Sequence, residues 1–79
     1  MHITLEADYA IRIMLALAAN TGRMDAGSIS QEAVVSLRFA LKILRKLVNS
    51  GLVQSFKGVK GGYELAKDPA DITLYDIIS

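Results

Sequence analysis

The side chains whose grouping predicts a chemistry are the positively charged ones. Six cations and no acid occur between positions 33 and 63 of the 79-residue chain, namely Arg38, Lys42, Arg45, Lys46, Lys57 and Lys60. All eight acids lie outside this window, so the formal net charge of +1 conceals a local charge of +6. Two neighbouring basic elements with no acid between them are typical of a protein that binds nucleic-acid phosphates. The alternative is a solvated helix face beside a lysine-bearing turn.

Other chemistries find little support in the sequence. There is no cysteine, so the chain holds neither a disulfide nor a thiolate metal site, which fits a reducing compartment, and we expect a cytoplasmic protein. The single histidine, His2, has no Ser–His–Asp set or metal-ligand cluster around it in the sequence, and Gly61-Gly62 lacks the Lys-Ser/Thr of a phosphate-binding loop. We therefore predict no catalytic residue, no metal site and no enzyme. The apolar stretch 10–19 is too short to span a bilayer and predicts a buried helix.

The first basic element is predicted to be an amphipathic helix over residues 36–50. At about 100° per residue, one face collects the apolar side chains Leu37, Ala40, Ile43, Leu44, Leu47 and Val48. The opposite arc carries Arg38, Lys42, Arg45, Lys46 and Asn49, with Phe39 and Leu41 at the borders. Ser36 is a suitable N-cap, and Gly51 is suited to the left-handed residue after the helix. We expect Phe39 to be half-buried packing.

Two more helices are predicted before this one. Thr4 can cap a helix that runs to about Asn20, in which Asp8 and Arg12 are spaced to pair. After a polar connection, residues 28–33 form a short helix with Ser28 as its cap. A tight turn at 34–35 then leads to the basic helix, which is helix-turn-helix geometry.

The second basic element is predicted to be the tip of a β-hairpin. Strands at 52–57 and 63–66 flank residues 58–62, where three of five positions are glycine. Asp68-Pro69 ends the second strand, and Thr73 can cap a further helix that barely begins before the chain stops. The fold is therefore predicted to be mostly α with a small β-hairpin: a winged helix-turn-helix with three helices, a two-stranded wing and the start of another helix. Residues 1–79 form one domain.

The chain as a whole resembles the N-terminal winged-helix domain of the Rrf-two family of bacterial transcription regulators. The resemblance lies in residues 8–12, the helix 36–47, the segment 51–53, the wing 57–65 with its Gly61-Gly62-Tyr63, and the stretch 72–77. It implies double-stranded DNA as the partner, a homodimer, and a dimerisation region that starts at about 73–79 and is truncated here. Some relatives bind an iron–sulfur cluster through cysteines beyond this point, so a cluster is possible in a full-length parent, while this chain has no cofactor.

The resemblance also assigns roles to residues. Ser36, Arg38, Leu41 and Lys42 are expected nearest the base edges of the major groove, where Arg can bond guanine and Leu offers only apolar contact. Arg45 is expected at a phosphate or in plain solvent, and Lys57 and Lys60 at the minor groove or its phosphates. Ser28 and Ser30 can bind a phosphate or simply cap their helix. The function implied is a sequence-specific DNA-binding regulator, a repressor by this reading; the alternative is a winged helix that contacts proteins.

Overall fold

The computed structural model describes residues 4–20 and 22–67. Along the chain it contains α1 (Leu5–Ala19), α2 (Ala26–Ala33), α3 (Leu37–Asn49), β1 (Val53–Phe56) and β2 (Gly62–Leu65). The predicted order of three helices and a two-stranded hairpin is confirmed. His2, the Asp68-Pro69 break and the predicted helix start at Thr73 lie outside the described residues. In the described part, no helix is both long enough and apolar enough to span a membrane.

Helix α1 begins and ends close to the predicted positions. The Thr4 hydroxyl accepts a hydrogen bond from the backbone N–H of Ala7 at 3.1 Å, which satisfies one of the free donors of the first turn. Asn20 follows the last helical residue in an extended conformation. The predicted pair of Asp8 and Arg12 forms, with 3.1 Å between carboxylate and guanidinium.

The prediction that Ser28 caps α2 is wrong. The cap is Asp25, three residues before Ser28, so the helix starts at Ala26 and Ser28 lies within its first turn. The Asp25 carboxylate accepts hydrogen bonds from the Ser28 hydroxyl (2.7 Å) and the Ser28 N–H (3.2 Å), and these bonds lower the pKa of Asp25. An ionised carboxylate is a stronger acceptor than a hydroxyl and also favours the positive end of the helix dipole. Asp25 therefore prevails over Ser28 as the cap.

The turn between α2 and α3 is tight, as predicted, although it contains no glycine. Val34 adopts a left-handed conformation with φ of 55°, which is unfavourable for a β-branched residue. Two hydrogen bonds hold it: the N–H of Val34 bonds Gln31 O, and the N–H of Val35 bonds Ser30 O. Val35 is buried while the Val34 side chain is 78% exposed, so packing of Val35 fixes the geometry that strains Val34.

One core joins the three helices to the start of the hairpin. Its fully buried large side chains are Ile13, Ile29, Ile43, Leu44 and Val53. The predicted apolar face of α3 is confirmed at Ala40, Ile43, Leu44 and Leu47, while Val48 is half-buried. The prediction is wrong at Leu37, which is 49% exposed. Leu37 is the first residue of the helix, and the core receives Val35 from the preceding turn instead.

The wing is attached to the body by a strand contact that the sequence did not predict. β1 and β2 pair antiparallel, with Val53 opposite Leu65 and Phe56 opposite Gly62. Met24, in the connection between α1 and α2, exchanges two backbone hydrogen bonds with Tyr63, at 2.8 and 2.9 Å. The wing therefore has a third, one-residue partner on the outer side of β2. This contact places the hairpin against the connection that leads into the helix-turn-helix.

Candidate nucleic-acid interface

The outer surface of α3 has a central stripe of arginines. Helical spacing puts Arg38, Arg45 and Asn49 opposite the buried side, and all three are exposed. In the described part of the chain, neither arginine forms an ion pair. Because five fixed donors let Arg bond guanine or phosphate bidentately, this stripe is suited to reading DNA.

Two different flanks border the arginine stripe. On one side lie Leu37 and Leu41, one helical turn apart and both nearly half exposed. On the other side lie Lys42 and Lys46, whose ammonium groups turn towards the start of α1. The predicted reading positions Ser36, Arg38, Leu41 and Lys42 thus all fall on solvent-accessible parts of the helix. They do not, however, share one electrostatic environment.

The lysine flank, Lys42 and Lys46, is paired with an acid from outside the basic window. Glu6, in the first turn of α1, accepts a hydrogen bond from Lys46 Nζ, and its other oxygen lies 3.8 Å from Lys42 Nζ. The Lys46 hydrogen bond is the main cause that lowers the pKa of Glu6, with further attraction from both lysine charges and partial opposition from desolvation. The basic window contains no acid in sequence, but folding brings one from 40 residues away. The local charge of +6 is therefore partly neutralised.

Phe39 packs beside this ion pair, as expected. Its ring meets Tyr9 of α1 edge-on, with 5.5 Å between centroids and 69° between planes. Lys42 Nζ lies 5.7 Å from the centre of the Phe39 ring. Phe39 is 42% exposed, which agrees with half-buried packing between α1 and α3.

The serines near the start of α2 and α3 are engaged in local hydrogen bonds. Ser28 donates to Asp25, and the Ser30 hydroxyl donates to Gly27 O at 2.9 Å. The Ser36 hydroxyl accepts from the backbone N–H of Phe39 at 3.3 Å, as an N-cap, and keeps its own O–H for another acceptor. Asp25 already caps α2, and both serine hydroxyls have local acceptors, so neither Ser28 nor Ser30 is the cap, and phosphate binding by them stays a prediction.

The wing tip projects its lysines into solvent. Lys57, Val59 and Lys60 are exposed, and a hydrogen bond of 3.0 Å from Gly61 N to Gly58 O closes the turn. Gly58 has φ of 99°, a conformation that favours glycine. Within residues 4–20 and 22–67, neither lysine pairs with an acid. The wing cations are thus available to phosphates, unlike the lysines of α3.

Arg23, in the connection between α1 and α2, contacts the wing, which the sequence did not reveal. Its guanidinium stacks on the Phe56 ring, with 3.5 Å from Cζ to the ring centroid, and its Nη1 donates to the Lys60 backbone carbonyl at 3.0 Å. Arg23 lies outside the basic window and 37 residues before Lys60, so no local pattern linked it to the hairpin. A geometric role, bracing the tip, follows from these two contacts.

The described residues offer no cluster of His, Cys, Asp and Glu that could hold a metal ion. The exposed basic features of the described residues are a helix face and a hairpin tip.

Comparison with known proteins agrees with this geometry. The family model Rrf2, described as an iron-dependent transcriptional regulator, matches residues 3–79. The HTH-type transcriptional regulator IscR of Klebsiella pneumoniae is 36% identical, with the alignment covering 100% of this chain and 50% of the relative.

Solved structures give the same result for the fold. IscR of T. potens superposes with a TM-score of 0.90 at 31% identity, over 99% of this chain and 58% of that protein. CymR, described as the global cysteine regulator of B. subtilis, also superposes with a TM-score of 0.90, at 35% identity, over 99% of this chain and 62% of that protein. The chain spans about half the length of the first relatives it matches. It has the winged helix-turn-helix fold and belongs to the Rrf2 family, whose members are transcriptional regulators and not enzymes.

Proposed function

We propose that this chain is the DNA-reading domain of a transcriptional repressor that binds a specific double-stranded operator. The observation that carries the proposal is the exposed Arg38–Arg45 stripe on a capped helix, which begins after a tight turn and is braced by the core. An α-helix fits the major groove, and side chains near its N-terminal end are placed for base edges. Relatives named as HTH-type transcriptional regulators support the same role.

The roles divide between base reading and phosphate binding. Arg38, with Ser36, Leu41 and Lys42, reads base edges, since these side chains lie in the first turns of α3. Arg45 lies two turns further along and binds phosphate. The wing places Lys57 and Lys60 at the adjoining minor groove or its phosphates.

The protein acts as a homodimer on a partly palindromic site in the cytoplasm, with dimerisation beginning at about residues 73–79. Two-fold symmetry of the protein then matches that of the operator, with half-sites about one helical turn apart. Support comes from the family and from the length of its relatives, which is about twice that of this chain. The proposal includes an iron–sulfur cluster in a longer parent protein. Its cysteine ligands would lie outside this chain, which contains no cysteine.

The test is binding of the chain to a random duplex pool, followed by fluorescence anisotropy on the enriched sequence at two salt concentrations. A repressor domain enriches a palindrome, and its affinity falls steeply with salt. Six cations at phosphates would give a log–log slope of about −5 per protomer. A version fused to a dimerisation helix is measured in parallel, since a single domain binds more weakly. If neither form enriches any sequence, the domain is instead a protein-contact module.

A further inference from the structure

Folding stability does not account for the contact between Glu6 and the lysine flank of α3. In the described part of the chain, no other acid forms an ion pair with α3. The side chains are well exposed, at 39% for Glu6, 56% for Lys42 and 59% for Lys46. Ion pairs at this exposure contribute little to folding stability because water and salt screen them. Their consequence therefore lies in what else can bind the two ammonium groups.

A carboxylate and a phosphate offer Lys the same kind of acceptor, an anionic oxygen. Lys42 and Lys46 are on the face that is proposed to enter DNA, so the phosphates of any duplex compete with Glu6 for them. Two outcomes are open to each lysine. It leaves Glu6, which then stays unpaired beside the DNA, or it keeps Glu6 and contributes less to phosphate binding.

We propose that Glu6 is an internal competitor of DNA phosphate, which lowers the affinity of the domain for all duplexes alike. This inference rests on the proposed function, because the competition concerns DNA only if α3 is the DNA-binding face. Glu6 forms no ion pair with Arg38 or Arg45, so base reading by the arginine stripe is left intact. Glu6 accepts its hydrogen bond from Lys46, which has no base-reading role, while Lys42 Nζ lies 3.8 Å from the carboxylate. Glu6 thus sets how tightly and at what salt the domain holds DNA, and leaves the sequence preference given by Arg38 unchanged.

Counterion release gives the inference a quantitative signature. Each phosphate neutralised by a free cation contributes about −0.9 to the slope of log affinity against log salt. When a lysine leaves Glu6 for a phosphate, an ion pair must break, and breaking it costs less as salt rises because salt screens the attraction. This effect offsets part of the salt dependence that the lysine contributes. Removing the Glu6 charge should therefore steepen the slope, by at most about 1–2 for the two lysines. Between about 50 and 200 mM salt, a steepening of about 1–2 would make the variant lose roughly four- to sixteen-fold more affinity than the unaltered chain.

The experiment compares Glu6→Gln with Asp8→Asn on the 79-residue chain. The control is well matched, because Asp8 is also an acid of the first turn of α1, but its partner is Arg12 on the same helix at 3.1 Å. Both variants lose one negative charge and one favourable interaction with the helix dipole. Affinity is measured on the selected duplex and on a random duplex at both salt concentrations, and thermal unfolding checks that each variant is folded. Glu6→Ala serves as a second variant.

We expect Glu6→Gln to bind both duplexes several-fold more tightly at low salt, by the same factor, and with the steeper slope. Asp8→Asn should change both affinities less and leave the slope unaltered. In a Lys42→Gln/Lys46→Gln background, the gain from Glu6→Gln should disappear. Three results for Glu6→Gln would overturn the inference. They are an affinity equal to that of Asp8→Asn, a gain in affinity for only one of the two duplexes, and a gain that persists when both lysines are replaced.

Retention on heparin separates failure of this inference from failure of the proposed function. Heparin is a polyanion without bases, so it reports competition for the lysines whether or not an operator exists. If Glu6→Gln elutes later from heparin but no DNA sequence is enriched, the competition by Glu6 is supported and the proposed regulator function is rejected. If a palindrome is enriched but Glu6→Gln and Asp8→Asn behave alike on heparin and on DNA, the regulator function stands and the competition by Glu6 is rejected.

Discussion

The two basic surfaces, the outer face of α3 and the wing tip, are held in different ways. α3 is fixed by its buried side, and the lysine flank of its outer face is paired with Glu6 of α1. The wing is fixed through its backbone, by the Met24–Tyr63 contact and by the bond from Arg23 to the Lys60 carbonyl. As a result, the wing lysines have no acidic partner among the described residues, whereas two of the four cations of α3, Lys42 and Lys46, are paired with Glu6.

The difference teaches that a run of like charge in sequence is not one surface in the fold. The central arginines of α3 remain available, Arg38 for a base edge and Arg45 for a phosphate, while charge on the lysine flank is reduced. On the wing, an arginine from another segment does structural work, so the lysines at the tip are left for phosphates. Specific and non-specific DNA contacts would therefore come mainly from different elements. The predictions below test that division, starting with the largest expected effect.

Gly62→Ala should detach the wing from the body. Gly62 has φ of 140°, which is unfavourable for alanine, and a Cβ there would lie 2.7 Å from the Met24 carbonyl oxygen. The substitution therefore causes both backbone strain and a collision with Met24, the residue that pairs with β2. We expect a loss of roughly 2–3 kcal/mol in the free energy of unfolding, measured by urea denaturation. Gly58→Ala is the control, because its φ of 99° is also strained but no atom lies within 4 Å of the added Cβ. Equal costs for the two variants would show that the bridge is unimportant.

Arg38→Ala should weaken binding to the selected duplex by about 1–3 kcal/mol and relax the preference at one base pair. The reason is that a bidentate bond to guanine is lost while most phosphate contacts remain. The measurement is anisotropy on the operator, on operators altered one base pair at a time, and on random DNA. A loss of the same size on all of these duplexes would contradict a base-reading role.

The sequence predicted most of the fold because its signals were local. Thr4, Ser36 and Gly51 mark helix ends through contacts within one turn, and the buried face of α3 follows from its own periodicity. The failures have different causes. Ser28 is not the cap because Asp25, a stronger acceptor, precedes it in the stretch predicted to be a connection. Leu37 is exposed although its periodicity predicts a core position, because periodicity does not say where neighbouring elements end.

The site was predicted less completely, since two of its main features join distant segments. Glu6 meets Lys46 across 40 positions, and Arg23 meets Lys60 across 37. Both distant residues belong to stretches whose local pattern indicates only a helix start and a polar connection. Such contacts depend on how α1 crosses α3 and how the wing folds back, which charge counting along the chain does not describe.

Arg23→Ala should loosen the wing tip without unfolding the domain. One hydrogen bond to a backbone carbonyl and one exposed stack on Phe56 together predict a loss of about 1 kcal/mol in stability. Faster amide exchange at Gly61 should accompany it, and affinity for all duplexes should fall. Arg23→Lys retains the charge but not the planar group, so it should behave like Arg23→Ala. Full recovery by Lys would mean that Arg23 contributes charge alone.

The smallest effect compares one lysine from each surface. Lys60→Ala removes a cation that has no acidic partner in the described chain, so the salt slope should become shallower by about 0.9 on every duplex. Lys46→Ala removes a cation that Glu6 already neutralises, so its slope should change by clearly less than that of Lys60→Ala. The two variants are measured side by side over the same salt series, with stability checked by thermal unfolding. In the Glu6→Gln background the difference should vanish, because Lys46 then counts as a free cation. If Lys46→Ala and Lys60→Ala shift the slope equally with Glu6 present, the two surfaces are electrostatically alike in solution.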